Sequence, residues 1–437
     1  MYTPTRRTFI AGSASAGIIG IAGCLGDSDD DDTDDTDDAD DTVDPGDDAD
    51  DADDTPADDG DDEPVEATYE VWAADQGTHV IHIYEPNENG ELTEVDQIDT
   101  GAEDGEVPHM VHFSSDYEYA AIACTAGART LVYRTEDREL VANLETGASS
   151  HFAGFNPADD AIIVDVIGEN KIVRIDADLD AEEFSIDDEI VIGELDGFSE
   201  DQDPVCHSYD QNGRSIHTLG PNYHHGGVVI VDHENFDVYE SFTHEELPAN
   251  CGTMPHPTEP KFYLTAGNPS DDEADPDDEP LDYEGVGRYY VLDTENYEII
   301  AEESTQGIDA HGFWFVNDGD ELWVLNRETN DGVIVDPATD DVIDEIDEFG
   351  PGDDERPDIM WSTPDTQTLF VTLRGPNPRS AAHVAVGETP GFAVFDVQSR
   401  DRIDIVEPAE GNEDSDFHGI GVRPLGDIDG GPTSPPY

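Results

Sequence analysis

A short apolar run, a turn and a second apolar run recur along the chain, and this repeat limits the fold more than any other feature. Aligned on the turn, the copies are "PHMVHFSSDYEYAAIA" from Pro108, "SHFAGFNPADDAIIV" from Ser150, "PVCHSYDQNGRSIHTL" from Pro204 and "NCGTMPHPTEPKFYLT" from Asn250. "AHGFWFVNDGDELWVL" from Ala310, "PDIMWSTPDTQTLFV" from Pro357 and a half copy, "FHGIGVRPLGD" from Phe417, complete the set. Third runs ending in Asp follow most copies, as in "GGVVIVDH", "RYYVLDT" and "GFAVFDV", and a fourth, more polar run comes after. Intervals run from 42 residues (Pro108 to Ser150) to 60 (Pro357 to Phe417). Four short strands repeated at roughly 40–60 residues make one propeller blade, and acidic insertions such as "DADLDAEEFSIDDE" lengthen some intervals. The last copy has no strands after it, whereas "TYEVWAAD", "THVIHIYE" and "LTEVDQIDT" precede the first. These remainders make one more blade. The expectation is an all-β, seven-bladed β-propeller of four-stranded antiparallel blades over 67–426, closed by the C-terminal strand so that no sheet edge stays open. Two stacked sandwiches would leave the complementary remainders without a purpose.

The copies resemble the YVTN/YncE-type seven-bladed propellers, whose repeat is similar to "PHGIAVSPDGKYLYV", and the resemblance covers about 68–425. It implies the fold and leaves the activity open, because this scaffold serves many functions.

Residues 1–23 read as an address. "TRRTFI", with Arg6 and Arg7, resembles a twin-arginine export signal, and "IAGC" ending at Cys24 resembles a lipobox. The apolar part between them is too short and too rich in small residues to span a bilayer as a helix. These resemblances imply export, cleavage before Cys24 and a membrane anchor through lipid on its thiol. Residues 24–66 are largely Asp with Thr, Ala and Gly, have nothing to bury, and predict a disordered acidic stalk. A flexible tail is expected over 427–437.

Asp and Glu total 109 against 17 Lys and Arg, a net charge of −92, and Lys171 and Lys261 are the only lysines. Such self-repulsion is tolerable where salt is molar and the Debye length falls to roughly 3 Å. The composition resembles that of haloarchaeal proteins. It excludes nucleic acid as a partner, since phosphate recognition needs clustered cations. Among so many carboxylates a paired Asp or Glu carries no information, and "DDEADPDDE" reads as a solvated loop. No GxSxG, Gly-rich phosphate loop or HExxH is present. Cys124, Cys206 and Cys251 fit no metal-finger spacing, and their odd number leaves at least one thiol unpaired.

The residue that opens each inner strand should stand at one mouth of the central channel. The copies place His418, His109, His151, Val205, Cys251, His311 and Asp358 there. His207, two residues after Val205, should share its face. His112 should face the other way from His109. One reading makes these histidines structural, donating to backbone carbonyls. The other makes them ligands, since His, Cys and Asp hold zinc and copper. His418, His109 and His151 would form one arc, and Cys251, His311 and Asp358 a second. Nitrous oxide reductase holds copper with histidines at a related mouth, but this chain lacks that enzyme's Cys-rich second domain. "NYHHGG", with His224 and His225, is similar to zinc-chaperone propellers. The sequence therefore predicts an extracytoplasmic binding module taking a protein or small-molecule ligand on a propeller face. The alternative is a zinc or copper carrier, or a copper oxidoreductase.

Overall fold

The computed structural model describes residues 68–220, 225–267, 287–352, 354–381, 384–409 and 413–426. Arg6, Arg7, Cys24, the predicted stalk, His224 and the tail after Gly426 lie outside the described residues. Seven four-stranded antiparallel sheets form a ring. Blade 1 combines β1 (Tyr69–Asp75), β2 (Val80–Pro86) and β3 (Leu92–Asp99) with the last strand, described below. Blade 2 holds β4 (Pro108–Phe113), β5 (Tyr119–Cys124), β6 (Arg129–Arg134) and β7 (Leu140–Glu145). Blade 3 holds β8 (Ser150–Phe155), β9 (Ala161–Val166), β10 (Lys171–Asp178) and β11 (Glu183–Val191). Blade 4 holds β12 (Asp203–Tyr209), β13 (Ser215–Gly220), β14 (Gly227–Asp232) and β15 (Asp237–Phe242). Blade 5 holds β16 (Thr253–Pro255), β17 (Lys261–Ala266), β18 (Arg288–Asp293) and β19 (Glu298–Ser304). Blade 6 holds β20 (Ala310–Val316), β21 (Glu321–Asn326), β22 (Asp331–Asp336) and β23 (Asp341–Ile346). Blade 7 holds β24 (Pro357–Ser362), β25 (Thr368–Leu373), β26 (Gly391–Asp396) and β27 (Asp401–Val406).

The closing strand β28 (Phe417–Pro424) is the innermost strand of blade 1 and pairs antiparallel with β1, Tyr69 opposite Pro424 and Phe417 opposite Asp75. Phe417, Ile420 and Val422 are fully buried, so closure is a packing event as well as a hydrogen-bonding one. The backbone N–H of Asp416 donates to Asp75 Oδ1 (2.8 Å), and that of Gln76 donates to the Asp416 carbonyl (2.8 Å). The three inner strands of each blade are apolar and buried. The outermost ones alternate, as in "DVYESF", and leave polar groups in water. Aromatic residues fill the gaps between blades, with Trp314 stacked on Trp361 (centroids 4.6 Å). Two expectations change in detail. β16 is only three residues long, because Pro255 and Pro257 remove the donors that would extend it. The acidic "DADLDAEEFSIDDE" is a lengthened hairpin of β10 and β11 rather than a loop insertion.

Candidate functional site

At the end where the inner strands begin, their ladders are irregular at one recurring place. In β4, Pro108 pairs with Cys124 and Met110 with Ala123, so His109 is an extra residue. His151 stands in the same way between Ser150 and Phe152 in β8. In β20, β24 and β28 the extra segments are His311–Gly312, Asp358–Ile359 and His418–Gly419, and in β12 Val205–Cys206. A bulge re-aims the residue it carries. Here it turns the ring residue toward the neighbouring blade. Glycine follows His311 and His418 because a Cβ there would lie 2.3 Å from the Asp358 carbonyl oxygen or 2.4 Å from that of His109.

The bulges define the histidines' first task. His418 Nδ1–H donates to the His109 carbonyl (3.1 Å), His151 Nδ1–H to the Val205 carbonyl (2.9 Å), and His311 Nδ1–H toward the Asp358 carbonyl (3.2 Å). In each case the acceptor is the ring residue of the next blade. Second-strand threonines repeat the device. Thr265 Oγ1–H donates to the His311 carbonyl (2.8 Å) and Thr372 Oγ1–H to the His418 carbonyl (2.7 Å).

His109 is held differently. Gln76 Oε1 accepts from Ser380 Oγ (2.9 Å) and Arg374 Nη2 (3.3 Å), which turns the Gln76 amide nitrogen toward His109 Nδ1. His109 therefore carries its proton on Nε2 and donates to His151 Nε2 at 2.8 Å. His109 also stacks on His418 (centroids 3.7 Å). Burial is the largest cause holding all three neutral. It lowers His151 to about 4, and with neighbouring charges it keeps His109 and His418 well below 6.5.

The other side of the mouth is charged. Arg374, wholly buried, donates through Nε and Nη2 to both oxygens of Asp416 (2.7 and 2.8 Å) and through Nη1 to Asp358 Oδ2 (2.6 Å). Arg327 bridges Asp309 Oδ2 (2.7 Å) and Asp358 Oδ1 (3.3 Å). His311 Nδ1 lies 2.8 Å from Asp358 Oδ1. Burial and Arg327 oppose a charge on His311, but Cys251 and Asp358 outweigh them and raise it to about 10. Burial also opposes ionisation of Asp358, yet the charged His311, Arg327 and Arg374 hold it well below the usual carboxylate range. The expected second arc is thus an ion-paired unit whose carboxylate oxygens are already engaged.

His207 does not join the mouth. The extra residue in β12 reverses the alternation, so Cys206, half-buried and 3.8 Å from His151 Nδ1, faces that way. His207 turns between blades, where its Nδ1–H donates to Asp165 Oδ2 on β9 (2.6 Å). His217 on β13 donates to Asp165 Oδ1 (2.6 Å). Among the described residues, these are the three His, Cys or acidic groups whose potential ligand atoms all lie within 4.8 Å of one another. The alignment holds the clue: His207 falls in the column of Phe313, Met360 and Ile420, all buried. His112, as expected, is away from the mouth, and its Nδ1 accepts from the Phe155 N–H (3.2 Å). Cys124, Cys206 and Cys251 are free thiols.

No protein-family model matches the sequence, and no curated protein does. The structure is similar to a protein from Lactobacillus plantarum (TM-score 0.58, 11% identity, covering 83% of this chain and 100% of that one). It is also similar to Kuenenia stuttgartiensis hydrazine synthase (0.53, 12%, 74% and 90%) and to the Dos1 propeller (0.51, 14%, 77% and 74%). At such identities the likeness is one of fold, shared by propellers of diverse function.

Proposed function

We propose that this chain is an exported, lipid-anchored propeller that acts in high salt as an extracytoplasmic binding module, with its ligand at the histidine end of the channel. One observation carries the reading: three neutral imidazoles, His109, His151 and His418, gather at the mouth beside a fixed Arg–Asp unit. The ligand class that neutral imidazoles favour is a transition-metal ion, zinc or copper. Anchoring Nδ1 of His151 and His418 on backbone carbonyls leaves Nε2 as the donor atom, the usual preparation of a metal-binding histidine. For His109 to ligate through Nε2 its proton must pass to Nδ1, with the Gln76 amide turning to present Oε1 to it. His311 and Asp358 would shape and charge the site rather than ligate. A metal carrier is the form of binding module this favours.

A second reading, a protein or organic ligand on the same face, is favoured by a cavity of about 690 Å³ bounded by Asp354, Arg356, Pro376, Val386 and Glu388. It lies in loops tied to Arg374 through the Arg374 N–H to Arg356 carbonyl bond (3.0 Å).

Localisation is tested by two variants. Arg6→Lys with Arg7→Lys should retain precursor inside the cell, and Cys24→Ser should be exported but released into the medium. A Cys24→Ser protein that stays on the membrane after a salt wash would remove the lipid anchor from the proposal. Ligand class is tested by elemental analysis of protein purified from molar salt and incubated with zinc or copper. A bound equivalent that resists competing Mg²⁺ and is lost in His109→Ala supports the metal reading at the mouth, and none lost in that variant favours the organic or protein ligand.

A further inference from the structure

A second histidine cluster, remote in role from the mouth, lies between blades 3 and 4. Asp165, His207 and His217 have fully buried side chains. Asp165 belongs to blade 3, while His207 and His217 are cross-strand partners in blade 4. Both imidazoles present Nδ1 to the same carboxylate, one to each oxygen, at 2.6 Å. Among the described residues no guanidinium or ammonium group contacts Asp165, unlike Asp309, Asp358 and Asp416, which each meet an arginine. A buried carboxylate needs a compensating positive charge, because desolvation costs several kcal/mol per ion (order of magnitude).

The surroundings are polar where an apolar seam would serve. His217 Nε2 is 2.7 Å from Ser215 Oγ, which His233 Nε2 also reaches at 2.8 Å. His207 Nε2, His233 Nδ1 and Tyr209 Oη are buried and have no hydrogen-bond partner among the described residues. The Tyr209 ring stands 5.6 Å from His207 and 5.2 Å from His233. Gly154 leaves room beside His207, since a Cβ there would lie 3.2 Å from His207 Nε2.

We propose that Asp165, His207 and His217 form a buried site for one divalent transition-metal ion, zinc in the first instance, which ties blade 3 to blade 4. Two imidazole nitrogens and a carboxylate are a zinc donor set with one position left for water. Metal–ligand bonds of roughly 2.0–2.2 Å need ligand atoms spaced wider than the present hydrogen bonds, so the contacts must open by a fraction of an ångström. The ion replaces the two Nδ1–H···O bonds, and each imidazole keeps its proton by carrying it on Nε2. For His217 no bond is lost. Its Nε2–H then donates to Ser215 Oγ, whose own proton turns to His233 Nε2 as the His233 proton passes to Nδ1. That reversible chain orients the ligand as outer-shell partners do in metal sites.

The test uses the full chain, refolded in molar salt with excess Mg²⁺ to occupy surface carboxylates and titrated with Co²⁺ as the probe. The His109→Ala protein, which lacks the mouth site, should show intense visible absorption of a tetrahedral nitrogen–oxygen site with one equivalent resistant to Mg²⁺. Asp165→Asn in the same background, which keeps the shape, should lose that equivalent. Its presence in His109→Ala separates this site from the mouth. Should Asp165→Asn fail to fold, the His109→Ala protein decides the matter: its unfolding midpoint should rise when Zn²⁺ is present during refolding. Absence of tetrahedral absorption in His109→Ala, retention of the ion by Asp165→Asn in the same background, or a midpoint of His109→Ala indifferent to Zn²⁺ would each overturn the proposal. None of these outcomes bears on ligand binding at the mouth.

Discussion

Ring closure gives the most demanding stability prediction. Deleting the chain from Asp416 onward removes β28 and leaves the inner edge of β1 unpaired. Phe417, Ile420 and Val422 are each buried to within 1% of completely. At about 1.5–3 kcal/mol for each such side chain, their loss alone costs ~5–9 kcal/mol. Arg374 keeps Asp358 but loses the carboxylate that receives two of its bonds, and weakening that buried pairing adds up to ~3–5 kcal/mol. The sum is comparable with the ~5–15 kcal/mol that holds a typical domain folded. The truncated protein should therefore show no cooperative unfolding transition by circular dichroism at a salt concentration where the parent melts cooperatively. Phe417→Ala offers a graded version, at about 3–5 kcal/mol by equilibrium urea unfolding. A truncated protein that melts within a few degrees of the parent would refute closure by β28 and the propeller reading with it.

Arg374→Leu should destabilise by about 3–5 kcal/mol, because Asp358 and Asp416 lose their buried guanidinium. Arg400→Leu, which breaks more exposed pairs with Glu321 and Asp344, should cost no more than ~1 kcal/mol in the same urea titration. Equal losses would mean that the mouth network is not a structural hub. His82 gives a pH signature: burial opposes its charge, but Asp75 and Glu94 outweigh burial and raise its pKa above 6.5. A raised folded pKa stabilises fully below 6.5 and loses that contribution as pH rises through the folded value. The melting advantage of the parent over His82→Gln should accordingly shrink as pH rises, and an advantage that grows with pH would contradict the assignment.

The fold could be read because the repeat is carried by apolar runs and turns, which survive any change in ligand chemistry. The two remainders, "TYEVWAAD" and "FHGIGVRP", were enough to indicate closure. The site was legible only in part. Period-two alternation put His207 at the mouth, but a bulge carries an extra residue and inverts everything after it. Cys206 consequently faces the mouth and His207 the blade interface. Asp165 escaped notice among 109 acidic residues, although it sits inside the apolar run "AIIVDV", where a solvated carboxylate has no place. Arg327 and Arg374 carried a clue in their scarcity. In a chain with 17 basic residues, two that directly follow second strands at one end of the ring are worth attention.

The central functional claim is that the neutral imidazoles at the mouth bind a metal ion. The direct measurement is a paired titration of the parent, His109→Ala and His112→Ala with Zn²⁺ against a chromophoric chelator, in molar salt with excess Mg²⁺. His109 contacts His151 and His418 at the mouth, whereas His112 is equally buried but packs between blades 2 and 3. The account predicts that His109→Ala weakens the mouth equivalent by at least about tenfold, the scale of losing a well-oriented metal contact. His112→Ala should leave it unchanged. Superimposable titrations for parent and His109→Ala would contradict the claim and leave the histidines as staples between blades.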